Sequence, residues 1–209
     1  MSHTTTDRVT PVRNLQEYFL ASVTESMRRQ GVRAGESTAH YVVSLLTLYA
    51  RSEAFYDEVD SRPGLKPLAL MLVDAVEAAR PAERAFALQR LGDVSLFVAG
   101  FFADSLAHKI VDVDYYISMG GGAYHSLSRE IERTPRGHAF GSVFVELACK
   151  FKDFVDVLAD MRALAQGQPE TDVLRLYEIW LRTGSRRAER ALRKLGIEPN
   201  STLGGGARH

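Results

Sequence analysis

Residues 86–110, FALQRLGDVSLFVAGFFADSLAHKI, constrain the fold of this chain more than any other segment. The stretch is almost wholly apolar, with two carboxylates and an imidazole set into it at helical spacing. On a helix of about 3.6 residues per turn, Asp93, Phe97, Gly100, Asp104 and His108 share one stripe. Leu91, Val98, Phe102 and Leu106 occupy the opposite side. A helix greasy on most sides belongs at the centre of a fold, with neighbours all round it. A carboxylate buried there must find a partner or change its protonation state. The sequence therefore predicts an all-α fold, a single-domain helical bundle of about six to eight helices around the buried central helix 86–110.

The flanking segments fit that frame. Pro11 stands in the first turn of a helix over 12–30, whose stripe is Leu15, Phe19, Val23 and Met27 and whose stop is Gly31. Ser37 is read as the N-cap of a helix over 38–57. SRPG at 61–64 is a turn, 65–80 a third helix with Pro67 in its first turn, and Pro81 opens the central helix. Between 111 and 133, Gly120, Gly121 and Gly122 either break a helix or let another backbone come close. TPRG at 134–137 is a loop. Phe140, Phe144, Leu147, Phe151, Phe154, Leu158 and Met161 alternate steps of four and three, which predicts one helix over 140–164. Its seam is expected to pack on the 86–110 helix, pairing across a dimer axis being the other use of such spacing. GQP at 167–169 ends it; a helix then runs to Gly184, and Ser185 caps a short basic helix to Gly196. With no alternating apolar–polar runs between hairpin turns, no sheet is expected. Residues 1–10 read as a disordered leader, 11–196 as the helical domain and 197–209 as a flexible tail.

Charge and cysteine content exclude several classes of function. Lys plus Arg equals Asp plus Glu at 26 each, so nothing global argues for nucleic acid or an anionic membrane. The single cysteine, Cys149, excludes an intrachain disulfide and a zinc site built from cysteine pairs, and it reads as a small buried hydrophobe. The polar N-terminus lacks the apolar core of a secretory signal, and the run Val94–Ala103 is about half of the ~20 residues that span a bilayer. A soluble, cytoplasmic protein with no membrane span is expected.

Five constellations could carry chemistry. Asp104 and His108, one helical turn apart, could grip a metal, with Asp112, Asp114 and His125 close in sequence. No glutamate stands three residues before a histidine, so the paired Glu-x-x-His pattern of helical carboxylate sites is absent. The plainer reading is a buried network holding Asp93 or Asp104 through Arg84, Arg90, Lys109 or a tyrosine hydroxyl. The second constellation, around Gly120, Gly121 and Gly122, could present backbone N–H groups to an anion, with Ser126, Ser128 and Arg129 following. It matches no nucleotide fingerprint, and the plainer reading is a helix packing tightly against its neighbour through small residues. Nucleophilic catalysis finds no G-x-S-x-G elbow, and His40, His108, His125 and His138 are too scattered for a triad. Arg186, Arg190, Arg193 and Lys194 could meet an acidic partner or form a solvated face. The 140–161 seam is the fifth.

The strings HYVVSLLTLYARSE (40–53), RLGDVSLFVAGFFADSL (90–106), VDVDYYISMGGGAYHSLS (111–128) and LRLYEIWLRTGS (174–185) together resemble a family of uncharacterised all-helical bacterial proteins. The resemblance covers most of the chain after the leader. It implies a soluble helical protein and supplies no activity, cofactor or catalytic residue. The sequence thus leads to a non-enzymatic interaction or regulatory module, with itself or another protein as partner, no cofactor and a homodimer as one form. The other expectation is a ligand- or metal-binding helical enzyme. In it Asp93, Asp114, Tyr115, Gly120, Gly121, Gly122 and His125 would hold a ligand and Asp104 and His108 a metal.

Overall fold

The computed structural model describes residues 15–50, 57–59, 62–64, 66–106, 112–166 and 173–197. The leader, Pro11, His108, the GQP segment and the tail from 198 on lie outside them. Nine helices are described, with one short hairpin: α1 Leu15–Gln30, α2 Glu36–Tyr49, β1 Asp57–Val59, β2 Arg62–Gly64, α3 Leu68–Glu77, α4 Pro81–Leu106, α5 Val113–Ile131, α6 Pro135–Cys149, α7 Phe151–Gln166, α8 Val173–Thr183 and α9 Arg186–Lys194. The molecule is an all-α bundle.

The long apolar segment forms α4, and α3, α5 and α7 pack around it. Leu91, Val94, Leu96, Val98 and Ala99 are buried, while Phe102, near its end, is exposed. Pro81–Ala103 is long and apolar enough to cross a membrane, but 61 % of its most apolar window is buried inside the protein, as suits a core helix. Two features bring its neighbours close. A Cβ on Gly92 would stand 2.6 Å from the Tyr124 ring of α5, and one on Gly100 would stand 2.5 Å from Leu158 Cβ of α7. α1 packs on α2 and α7, and α6 packs on α5 and α2, closing the bundle. Leu176 of α8 with Ala188 and Leu192 of α9 forms a small satellite core.

Several local expectations are corrected. α2 starts at Glu36 behind Gly35, not behind Ser37, and ends at Tyr49; Asp57, expected at its end, begins the strand Asp57–Val59. Its N-terminus is satisfied from another helix. Glu146 Oε2 of α6 accepts from the Gly35 N–H (2.9 Å) and Thr38 Oγ1 (2.6 Å), doing the work of a cap. Lys150 Nζ then donates to Glu146 Oε1 (2.7 Å) and to the Arg33 carbonyl (2.6 Å). Arg62, Pro63 and Gly64, expected in a turn, pair antiparallel with β1 in the register Asp57↔Gly64, Glu58↔Pro63, Val59↔Arg62. TPRG is not a loop: Thr134 caps α6 by accepting from the Gly137 N–H at 3.1 Å, with Pro135 in the first turn.

The helix expected over 140–164 is two helices, α6 and α7, parted at Lys150 (φ −110, ψ 21), which brings the count to nine. The break redirects the seam. Phe144, Leu147, Phe154 and Leu158 are buried, Phe144 against Tyr41 of α2 and Tyr124 of α5 and Leu158 against Gly100 of α4, and Phe140 is exposed. Cys149, at the end of α6, is exposed rather than buried. In α1, Val23 is buried and Leu15, expected in the same stripe, is exposed.

α3 is apolar on two sides. Leu68, Met71 and Ala75 are buried against the core. Ala69, Leu72, Val73 and Val76, spaced i, i+3, i+4, i+7, form a second stripe that is exposed, Val76 at 69 %.

Candidate functional site

Four helices converge on one carboxylate. Asp93, midway along α4, is buried at 8 % exposure. Its Oδ1 accepts two hydrogen bonds, each of 2.7 Å, from Tyr41 Oη of α2 and Tyr124 Oη of α5. Tyr41 Oη in turn accepts from Gln89 Nε2 (2.8 Å), one helical turn before Asp93, and Arg136 of α6 donates to Gln89 Oε1. Aromatic rings wall the cluster. Phe144 meets Tyr41 edge-on at 5.3 Å between centroids, and Tyr124 packs against Phe144 (5.8 Å) and Phe151 (5.9 Å). Tyr124 reaches Asp93 because Gly92 leaves no Cβ in the path of its ring.

Burial raises the Asp93 carboxyl to about 6, against the pull of the two tyrosine hydroxyls and the charges of Arg90 and Arg136. Burial, then the neighbouring carboxylate, pushes the Tyr41 and Tyr124 hydroxyls well up, so both remain neutral donors. Chemically the cluster can exchange one proton near neutrality and clamp three helices together. Its polar atoms point at one another, as in a structural network.

Of the residues singled out in the sequence, Arg90 acts on Asp93 by its charge, and the other described ligand candidates on α5 lie apart from it, except for the close approach of Gly120. Asp104 lies in the last turn of α4, eleven residues on, or about 16 Å along the axis; its side chain, like His108, lies outside the described residues. Asp112 caps α5 by accepting from the Val113 N–H at 2.7 Å. Asp114, in the first turn of α5, is half-buried, with its carboxyl raised by that burial, and is ten residues or about 15 Å from Tyr124. Tyr115 is half-buried and meets Tyr116 edge-on at 5.8 Å. His125 is exposed, on the side of α5 away from the buried Tyr124. Among the described residues no group of three or more His, Cys, Asp and Glu comes together to hold a metal.

The triple glycine is neither a helix break nor an anion-binding turn. It lies inside α5, where a Cβ on Gly120 would fall 2.2 Å from Phe151 Cζ and 2.7 Å from Ser95 Cβ. Gly121 is near α7, and Gly122 has nothing within 4 Å. The basic face of α9 is also divided. Arg190 donates to the Gln30 carbonyl at the end of α1 (2.9 Å) and to its side chain, and Arg193 pairs with Glu189 at 2.8 Å. Arg186 and Lys194 are exposed.

Sequence reasoning missed Tyr41, Gln89, Tyr124 and Arg136. Helical phase held one signal: Gly120, Tyr124, Leu127 and Ile131 share the buried face of α5, which puts Tyr124 inward and its neighbour His125 outward.

Fold and site define a class: an all-α bundle organised around a buried carboxylate held by two tyrosines. Comparison with protein-family models, with curated proteins and with solved structures found no match.

Proposed function

We propose that this chain is a non-enzymatic protein-interaction module that pairs with a second copy of itself through the outer face of α3. The observation that carries this is the exposed stripe Ala69, Leu72, Val73, Val76. A surface helix is normally polar on its outer side, and an apolar stripe at this spacing suits docking against another helix. Phe86, in the second turn of α4, adds to the apolar surface at 66 % exposure.

A second copy fits this face because the stripe itself is uncharged, so like charges do not oppose the approach. Lys66 and Asp74, paired at 2.6 Å beside it, offer opposite charges that a two-fold related copy can exchange. The buried Asp93 cluster fits a scaffolding role, since Tyr41, Tyr124 and Gln89 direct their donors within the cluster.

Sedimentation equilibrium over a wide concentration range tests the proposal. The wild-type chain should self-associate, and the Val73→Lys, Val76→Lys double variant should be monomeric with unchanged far-UV circular dichroism. A wild-type protein that stays monomeric at every concentration overturns the proposal.

A further inference from the structure

The Asp93 cluster carries a second inference, independent of the α3 face. Asp93 is a carboxylate in an aromatic enclosure, and its Oδ1 accepts from two phenols. Through Tyr41 it ties α2 to α4, and through Tyr124 it ties α5 to α4. The edge-on contact of Tyr49 with Phe97 (5.2 Å) is a further link between α2 and α4.

We propose that Asp93 is a proton-controlled clasp, which holds α2 against the α4–α5 pair more firmly when its carboxyl is protonated than when it is ionised. The groups that act on it are Tyr41 from α2 and Tyr124 from α5 directly, Arg90 from α4 and Arg136 from α6 by their charge and, through the tyrosines, Gln89 from α4 and Tyr49 from α2. A protonated carboxyl still offers Oδ1 to both phenols and no longer holds a charge away from water. Ionisation strengthens those two hydrogen bonds but adds the larger cost of a buried charge, which local opening of α2 relieves by admitting water.

The direction follows from linkage. The folded protein holds this proton more tightly than the open one, so the clasp is firm in mild acid and weakens as pH rises from about 4 to about 6. From there upward the weakening is complete. The ceiling on the effect is about a hundredfold in the opening equilibrium, the ratio that two units of proton affinity represent.

Two measurements on the full chain test the clasp. In the first, hydrogen exchange of the α2 amides is followed from about pH 4.5 to about pH 8, corrected for the intrinsic rate. Protection of Thr38–Tyr49 in the wild type should fall by tenfold or more over the lower part of that range. In Asp93→Asn, which keeps one carbonyl oxygen for the phenols, it should stay flat. An equal loss in α9, or the same slope in Asp93→Asn, overturns the proposal. The second needs no substitution: a carbon-13 titration of the Asp93 carboxyl in wild-type protein. A midpoint well above the ordinary carboxylate range supports the clasp, and one within that range overturns it.

Discussion

Gly120 and Gly122 are two residues apart on one helix, yet alanine at each should move stability in opposite directions. In an exposed helix interior, glycine is worse than alanine by about 0.5–1 kcal/mol, because the unfolded chain has more freedom to lose. At Gly122 the added methyl meets nothing within 4 Å, so Gly122→Ala should realise that gain. At Gly120 the same methyl would lie 2.2 Å from Phe151 Cζ and 2.7 Å from Ser95 Cβ. Neither neighbour retreats freely. Phe151 is 3 % exposed and begins α7, while Ser95 is fully buried and donates to the Leu91 carbonyl at 2.6 Å. Overpacking of this kind costs about 1–3 kcal/mol and occasionally more. After the helical gain is subtracted, Gly120→Ala should lose up to about 2 kcal/mol. The two alanines should therefore differ by about 1–3 kcal/mol, which in a chain of this size is a separation of several degrees in Tm, at about 2–4 °C per kcal/mol. Urea unfolding followed at the helical circular-dichroism band measures both. Equal stability of the two variants would refute the close approach of α5 to α4 and α7. A loss at Gly122→Ala would show that this face of α5 is covered.

Glu146→Ala removes the acceptor at the head of α2 and should cost roughly 1–2 kcal/mol, read by urea unfolding. Burial pushes the Glu146 carboxyl up, but the Lys150, Thr38 and Gly35 hydrogen bonds together outweigh it and leave it below its ordinary value. Its contribution is therefore present above the ordinary glutamate range and lost as pH falls through the lowered value, so the difference between wild type and Glu146→Ala should shrink in acid. At the head of α9, Ser185 Oγ donates to Asp156 Oδ1 (2.6 Å) and the Arg187 N–H to Oδ2 (3.3 Å). Asp156→Ala strands those donors and should cost roughly 1–3 kcal/mol, with lost exchange protection concentrated in α9; equal loss in α5 would contradict this.

The parts of the fold written in local chemistry were legible. A long apolar run made α4 the hub, Gly184 with Ser185 marked the step from α8 to α9, and Pro67 preceded α3. The break at Lys150 was not legible, because the apolar spacing runs through it without a glycine or proline. What changes there are the neighbours, α5 and α2 for α6 but mainly α4 and α1 for α7, and partners are not encoded in spacing. The Thr-Pro pair at 134–135 carried a capping signal that the following Gly137 obscured. At the site, burial of Asp93 followed from its place in the apolar run. Tyr41 and Tyr124 could not be chosen among eight tyrosines, since they lie 52 and 31 residues away and meet Asp93 only through packing.

The Glu146–Lys150 pair has a mechanical consequence. One carboxylate grips the Gly35 amide and the Thr38 hydroxyl while its lysine partner grips the Arg33 carbonyl, so the α1–α2 connection is riveted to the bend between α6 and α7. Two turns more than a hundred residues apart in the chain form one rigid corner. A lengthened 32–35 segment would therefore be felt first as a change in the angle between α6 and α7, on the far side of the sequence.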